Sequence, residues 1–350
     1  FALTSRGVPA IDSIMANEMP DAYLGWNVWL LDTLEGTDDA YGTVYSDYGR
    51  MASVYGQEIT RLVTNSGYTG EHAISLGGNW SNRLFLGATL AITKISYESK
   101  FEHMESTDAV LPSQFRDFNY TFYYKNTGTG YALKLGAIFK PIEPLRIGLS
   151  FHSPTLFRIT EYVYDNIYTH INDDDIDFSN KTMWYKYNLT TPFRATAGVA
   201  YQLKKLAVFS AEYEFIDYSM ARFSVVGDDD WDYTPDNDFI KSALKSASNI
   251  RAGAEFRLSR FYLRGGYGYY GKAYESYDVN SIVDYHSLSA GAGFREQNLY
   301  LDFGFTRMTN PNYYILYQYG GNPGNEVIAS SHINTDRNIF TVTFGYKFGY

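Results

Sequence analysis

Cysteine is absent from the 350 residues, which excludes disulfide scaffolds and thiolate metal sites. Also missing is any run of about 18 apolar residues, so no segment reads as a membrane-spanning helix. The chain is nonetheless 45% hydrophobic, with a mean hydropathy of −0.30, and can bury a large core. No basic face is concentrated enough for nucleic acid: 29 Lys and Arg are dispersed in a chain of net charge −10. Acids gather instead in loop-like stretches, Asp173-Asp174-Asp175 and Asp228-Asp229-Asp230, without EF-hand spacing, and read as solvated loops. The six histidines (His72, His103, His152, His170, His286 and His332) include no pair at metal-ligand spacing, so neither haem nor zinc, nor any other cofactor, is expected. Gly128-Thr129-Gly130 has no following helix pattern to make a phosphate cradle. Adjacency of His152 and Ser153 is not evidence for a triad, which is defined in space, so no enzyme is expected. No signal peptide is visible at Phe1, and the chain reads as mature, trimmed or incomplete at its start.

What the chain has in abundance is tyrosine (34), phenylalanine (23) and glycine (30), a balance that favours strands, tight turns and aromatic girdles. Period-2 alternation is clear near the end. Leu299, Leu301, Phe303 and Phe305 oppose Tyr300, Asp302, Gly304 and Thr306, and Phe340, Val342, Phe344, Tyr346 and Phe348 oppose Thr341, Thr343, Gly345 and Lys347. The same two faces recur at 145–152 and 193–200. Short turns are expected at Ser81-Asn82-Arg83, Ile142-Glu143-Pro144, Leu203-Lys204-Lys205, Ser259-Arg260 and Gln297-Asn298, and long connections near 103–128, 164–182, 227–246, 272–282 and 319–336.

Alternation alone does not separate a soluble sandwich from a membrane barrel with its faces reversed. Three features favour the barrel: the regular turn and loop asymmetry, a polar face of glycine and isolated arginine, and the terminal aromatics Phe348 and Tyr350, which resemble the signal read by barrel-assembly machinery. The fold expected is therefore all-β, an antiparallel up-and-down transmembrane β-barrel with long extracellular loops. About eleven strands are visible from residue 71, the last descending to the periplasm. The first then descends too. Residues 1–70, punctuated by Gly7, Pro9, Pro20 and Gly25 and with a stretch at 46–63 that could be helical, read as an extracellular cap with short helices. The ascending strands before it are expected to precede Phe1.

Four passages resemble the FadL/OmpP1/TodX outer-membrane transporters, in the divergent form labelled putative hemin receptors. They are Ser75 to Thr93 (SLGGNWSNRLFLGATLAIT), Leu133 to Pro154 (LKLGAIFKPIEPLRIGLSFHSP), Leu189 to Val199 (LTTPFRATAGV) and Ser246 to Tyr270 (SASNIRAGAEFRLSRFYLRGGYGYY). The resemblance implies a barrel of about fourteen strands with an N-terminal hatch, taking hydrophobic ligands from outside and releasing them sideways into the membrane. Hatch and first strands would lie upstream of Phe1.

Two groups of residues are the site candidates. Tyr23, Leu24, Trp26, Trp29, Leu30 and Leu31 put two of the five Trp in a loop region, as a hydrophobic capture surface or as a cap on the barrel mouth. Arg146, Arg194, Arg251 and Arg264 are expected to face Glu212, Glu214, Glu255 and Asp302, as a translocation path or as an interior ion-pair network that disfavours a wide pore. Pro154 and Pro192 interrupt strands and should make local bulges. The function expected is uptake of long-chain fatty acids or aromatic compounds across the bacterial outer membrane, with membrane lipid, lipopolysaccharide and the hydrophobic ligand as partners. The alternative is a non-transporting accessory subunit that docks an envelope protein.

Overall fold

The computed structural model describes residues 20–34, 36, 41–44, 46–47, 50–51, 57–109, 114–180, 182–227, 231–275, 285–319 and 327–347. Phe348, Tyr350, Gly7, Pro9 and the acidic run at 228–230 lie outside them. Helix α1 (Pro20–Asn27) precedes two small hairpins, β1 (Leu31–Thr33) with β2 (Tyr41–Thr43), and β3 (Ser46–Asp47) with β4 (Arg50–Met51). A fifteen-stranded antiparallel sheet follows. Its strands are β5 (Gln57–Trp80), β6 (Leu84–Thr107), β7 (Phe115–Ile142), β8 (Leu145–His152), β9 (Leu156–Ile171), β10 (Asp174–Ser179), β11 (Met183–Thr190), β12 (Arg194–Leu203), β13 (Ala207–Asp217) and β14 (Arg222–Val225). After helix α2 (Thr234–Ala243) come β15 (Ser246–Leu258), β16 (Phe261–Tyr270), β17 (Tyr285–Glu296), β18 (Leu299–Tyr319) and β19 (Val327–Tyr346). With β8 and β9 counted as one interrupted pass, β11 and β12 as another, and the short β10 and β14 set aside, the sheet makes eleven passes among the described residues. β5 pairs only with β6, and β19 only with β18, among the described residues.

All five expected turns are present. Ser81, Asn82, Lys204, Ser259 and Gln297 take positive φ there (45–58°), the left-handed backbone that lets a tight turn match the twist of its strands. The boundary at residue 71 needs correcting: the first long strand begins at Gln57, so 57–63 is strand and not helix. Thr60, Val63 and Thr64, β-branched and exposed, favour extended backbone. The long connections are also shorter than expected. Strand pairing runs on to Thr107 and resumes at Phe115, and β9 and β10 form a tight hairpin across Asn172 and Asp173 where a loop at 164–182 was expected.

Both prolines sit at the predicted breaks, and the breaks are bonded shut. The Ser153 N–H donates to the Leu133 carbonyl (2.8 Å), and the Leu133 N–H donates to Ser153 Oγ (2.9 Å). Across the two breaks the Thr155 N–H donates to Thr191 Oγ1 (2.9 Å) and the Thr191 N–H to the Thr155 carbonyl (3.0 Å). Each break shifts the alternation by one residue. In β8 the even positions 146–152 are the less exposed, whereas in β9 odd positions such as Ile159, Val163, Asp165 and Ile167 are buried. β11 and β12 switch from odd to even in the same way, and β13 and β14 switch back across the 3-10 turn at Tyr218–Met220.

The fold forms two compact units, one of residues 1–70, 94–128 and 159–186 and the other of 71–93, 129–158 and 187–350. In the first, Leu24, Val28, Leu30 and Val44 pack with Phe115, Phe118, Ile167 and Ile171 into a buried core. In the second, apolar side chains are exposed along one face: Leu149 at 59%, Phe261 at 59%, Phe340 at 78% and Phe344 at 69%. Glycines on the opposite face make room for bulky neighbours. Gly345 stands opposite Tyr300 in the ladder, and a Cβ there would strike the Tyr300 ring; Gly293 stands opposite Asp302 and Tyr262, where a Cβ would strike the Asp302 carboxylate.

Gly345→Val should therefore lower the unfolding free energy in detergent micelles by about 1–3 kcal/mol, the usual cost of overpacking. Gly136→Ala, where an added methyl meets nothing within 4 Å, should stay within about 0.5 kcal/mol of the parent. Urea titration followed by fluorescence measures both.

Candidate functional site

The face opposite the apolar one lines a concavity of about 940 Å³ within the second unit, with a floor of Gly198, Gly253, Gly266 and Gly291. Antiparallel register fixes what faces what. Glu212 stands opposite Arg251, Glu214 opposite Asn249, Glu255 opposite Arg264, and Gly293 opposite Asp302. Two clusters of charge result. Arg251 donates to Glu212 through Nε (2.8 Å) and an Nη (2.6 Å), and reaches Glu214 at 3.2 Å; Asn249 donates to the other Glu214 oxygen (2.7 Å). Arg264 donates through Nε to Glu255 and through Nη1 to Asp302, both at 2.7 Å. These guanidiniums are about one-third exposed, so their pairs are stronger than surface ion pairs and weaker than fully buried ones.

The other two predicted arginines are not joined to the acids. Arg146 faces Ala200 in the ladder, donates to Gln202 Oε1 at 3.4 Å and forms no ion pair among the described residues. Arg194 stands between His152 and Ile216, and forms no ion pair among the described residues. Register explains both outcomes, because no acid occupies the facing positions. Three contacts were not anticipated. Lys134 pairs with Glu71 at 2.6 Å. Arg257 and Arg295, from the strands on either side of β16, both stack on the buried Tyr262 ring, at 4.8 and 4.4 Å from its centroid. Counting in twos from Glu255 to Arg257, and from Gly293 to Arg295, would have placed both arginines on the face of Tyr262.

In the first unit, the segment singled out for its tryptophans divides. Leu24, Leu30 and Leu31 are buried, at 0, 4 and 2% exposure. Tyr23 meets Phe178 edge-on (5.6 Å) and Trp26 meets Tyr41 (6.1 Å), while Trp29, at φ 63° just beyond α1, is 65% exposed. Nearby, His103 Nε2 lies 2.7 Å from Glu105, and its Nδ1 accepts from Arg61, whose guanidinium stacks on Phe101 at 4.5 Å. Glu98 accepts from the Ser66 hydroxyl (2.7 Å) and the Tyr123 hydroxyl (2.9 Å). Ser153 Oγ is committed to backbone, donating to the Pro154 carbonyl at 3.0 Å. Among the described residues no three His, Asp or Glu side chains converge on a metal position.

Neither a family model nor a curated protein matches the chain. Among solved structures it is similar to the Ralstonia pickettii toluene transporter TbuX (13% identity, 88% of this chain and 74% of that one, TM-score 0.45). It is also similar to a Pseudomonas aeruginosa FadL homologue (12%, 80% and 78%, 0.43) and to the CymD monoaromatic hydrocarbon channel (10%, 85% and 89%, 0.42). At such identities and scores nothing about this chain is carried over from the likeness. The fold class is all-β, a large antiparallel sheet of up-and-down passes.

If the Arg264 cluster is a strut between β15, β16 and β18, Arg264→Gln and Asp302→Asn should each cost about 1–3 kcal/mol of unfolding free energy. Together they should cost less than the sum by about 1 kcal/mol. Strict additivity in the double-mutant cycle would mean that the pair does not act as one unit.

Proposed function

We propose that the chain is an outer-membrane channel protein for hydrophobic small molecules, long-chain fatty acids or aromatic compounds, working by the FadL-type route. The observation that carries the membrane half of this reading is the exposed apolar face set opposite a face of glycine and paired charge. In water that arrangement would leave Leu149, Phe303, Phe340, Val342 and Phe344 solvated along a whole sheet; in hydrocarbon it is the stable one. Aromatic rows support it. Phe151, Phe193 and Phe215 adjoin across three strands (5.8 and 6.2 Å), and Phe209 pairs with Phe256 (5.8 Å) nearer the turns. Phe209 and Phe215 are six residues apart on β13, roughly 20 Å of strand, a suitable spacing for two interfacial girdles around a hydrocarbon band. The transport half is supported by the four passages that resemble FadL-type transporters. The charged struts divide the concave face, which favours guided passage of small molecules over a wide aqueous pore.

A second reading, an accessory subunit of a larger envelope complex, is favoured by one observation. Leu24, Leu30 and Leu31 are buried in packing and so present no capture surface to a hydrophobic ligand.

Deleting the gene should slow ligand-dependent growth and lower the uptake of radiolabelled oleate or toluene several-fold, and the plasmid-borne gene should restore it. Unchanged uptake of both compounds, with a stoichiometric protein partner recovered on purification, would replace the first reading by the second.

A further inference from the structure

The turn ends of the passes carry charge opposite in sign to that of the whole chain. Backbone hydrogen bonds line these turns up in a row: the Lys140 N–H donates to the Arg83 carbonyl (2.7 Å), Gln202 to Pro144 (2.8 Å), Arg257 to Leu206 (2.7 Å), Arg295 to Arg260 (2.8 Å) and Lys347 to Asn298 (2.8 Å). Residues far apart in sequence thus stand along one rim of the second unit. Arg83 and Lys140 mark its first two turns, and Lys204 and Lys205 form the third. Arg257 and Arg260 flank the fourth, and Arg295 and Lys347 the last. The rim acids are Glu143, which lies 3.8 Å from Lys140, Glu296, which pairs with Arg260, and Asp302, level with Arg257 in the ladder and 3.8 Å from Arg295. Eight basic residues against three acids give five net positive charges, which leaves fifteen net negative charges on the rest of a chain totalling −10. Arg83, Lys204, Lys205, Arg260 and Lys347 are exposed.

Directly beside the rim, on the outward face, stand apolar side chains that are themselves exposed: Leu206 at 52%, Phe261 at 59% and Tyr346 at 51%. A partner that satisfies both must offer hydrocarbon and, within a side chain's length of it, a layer of negative charge. An acidic soluble protein offers only the second. Long basic side chains anchored at the edge of an apolar band can extend to reach phosphate.

We propose that this rim binds the headgroups of anionic phospholipids in the leaflet that the turns face. The contact fixes the depth of the turn ends in the bilayer, with the basic side chains held at the headgroup layer. This rests on the membrane reading above.

Lipid titration of the intact protein, extracted in mild detergent and followed by native mass spectrometry, tests the idea with phosphatidylglycerol and phosphatidylethanolamine as probes. The parent should prefer phosphatidylglycerol by about fivefold or more, and the preference should fall with added salt. The variant Arg83→Gln/Lys204→Gln/Lys205→Gln/Arg260→Gln/Lys347→Gln should bind the two lipids about equally. Equal binding by the parent, or a preference insensitive to salt, overturns the proposal and leaves the membrane reading standing. Salt series on the parent give this result even if the variant fails to fold. Recovery of the protein from the soluble fraction without detergent overturns both.

Discussion

Continuity of the backbone hydrogen-bond ladder is the constraint on which the rest depends. One face of this sheet is apolar and exposed, and a peptide group left unpaired beside hydrocarbon costs several kcal/mol. Every irregularity must therefore be re-bonded where it occurs. The breaks at Pro154 and Pro192 show how this is done. Each proline removes a donor, and side-chain oxygens at Ser153 and Thr191 accept from the N–H groups of Leu133 and Thr155. The ladder passes through with its phase shifted by one residue. A shift of one moves every following side chain to the other face, so apolar residues that keep odd numbers throughout, such as Leu149 and Phe151 before the first break and Ile159 and Val163 after it, pass from the exposed side to the buried one.

This explains which parts of the fold are legible in sequence. Turns are local, set by two or three residues such as Ser81-Asn82 or Gln297-Asn298, and they lie where the polar dipeptides interrupt alternation. Faces are legible within a strand, as at Phe303 and Phe305 against Asp302 and Gly304. Phase across a break is not, since it depends on how many residues the bulge absorbs. The start of β5 is not legible in the sequence for a related reason. Between Gln57 and Gly70 the apolar residues alternate weakly, with Leu62 and Val63 both exposed, and the pairing with β6 decides the structure.

Register governs the charged face in the same way. Glutamates at 212 and 214 and arginines at 194 and 251 all have the parity of that face, and sequence supports any pairing among them. The antiparallel ladder selects Glu212 with Arg251 and sets Arg194 against Ile216. Once selected, the pairs stand over a glycine floor, and the absence of Cβ atoms is what lets side chains from one strand lie across the next. Tyr300 over Gly345, with Tyr262 and Asp302 at Gly293, are examples. Covered glycines trade the backbone freedom they lose on folding for the packing of a large ring. Aromatic and glycine contents that are both high are thus two aspects of one packing arrangement.

The N-terminal segment poses the remaining question of mechanism. An apolar side chain at 0–4% exposure, as at Leu24 and Leu30, has given its surface to Phe115, Phe118 and Ile167 and has none left for a ligand. On the reading proposed above, a hydrophobic molecule at this segment would have to compete with that packing or use the exposed Trp29 ring. Competition carries an energetic penalty. Displacing one leucine from such a core forfeits about 2–5 kcal/mol, which a ligand of a dozen heavy atoms recovers only with near-complete burial of its own surface. The buried leucines of this segment therefore act as packing, and Trp29 is the exposed ring that the segment presents.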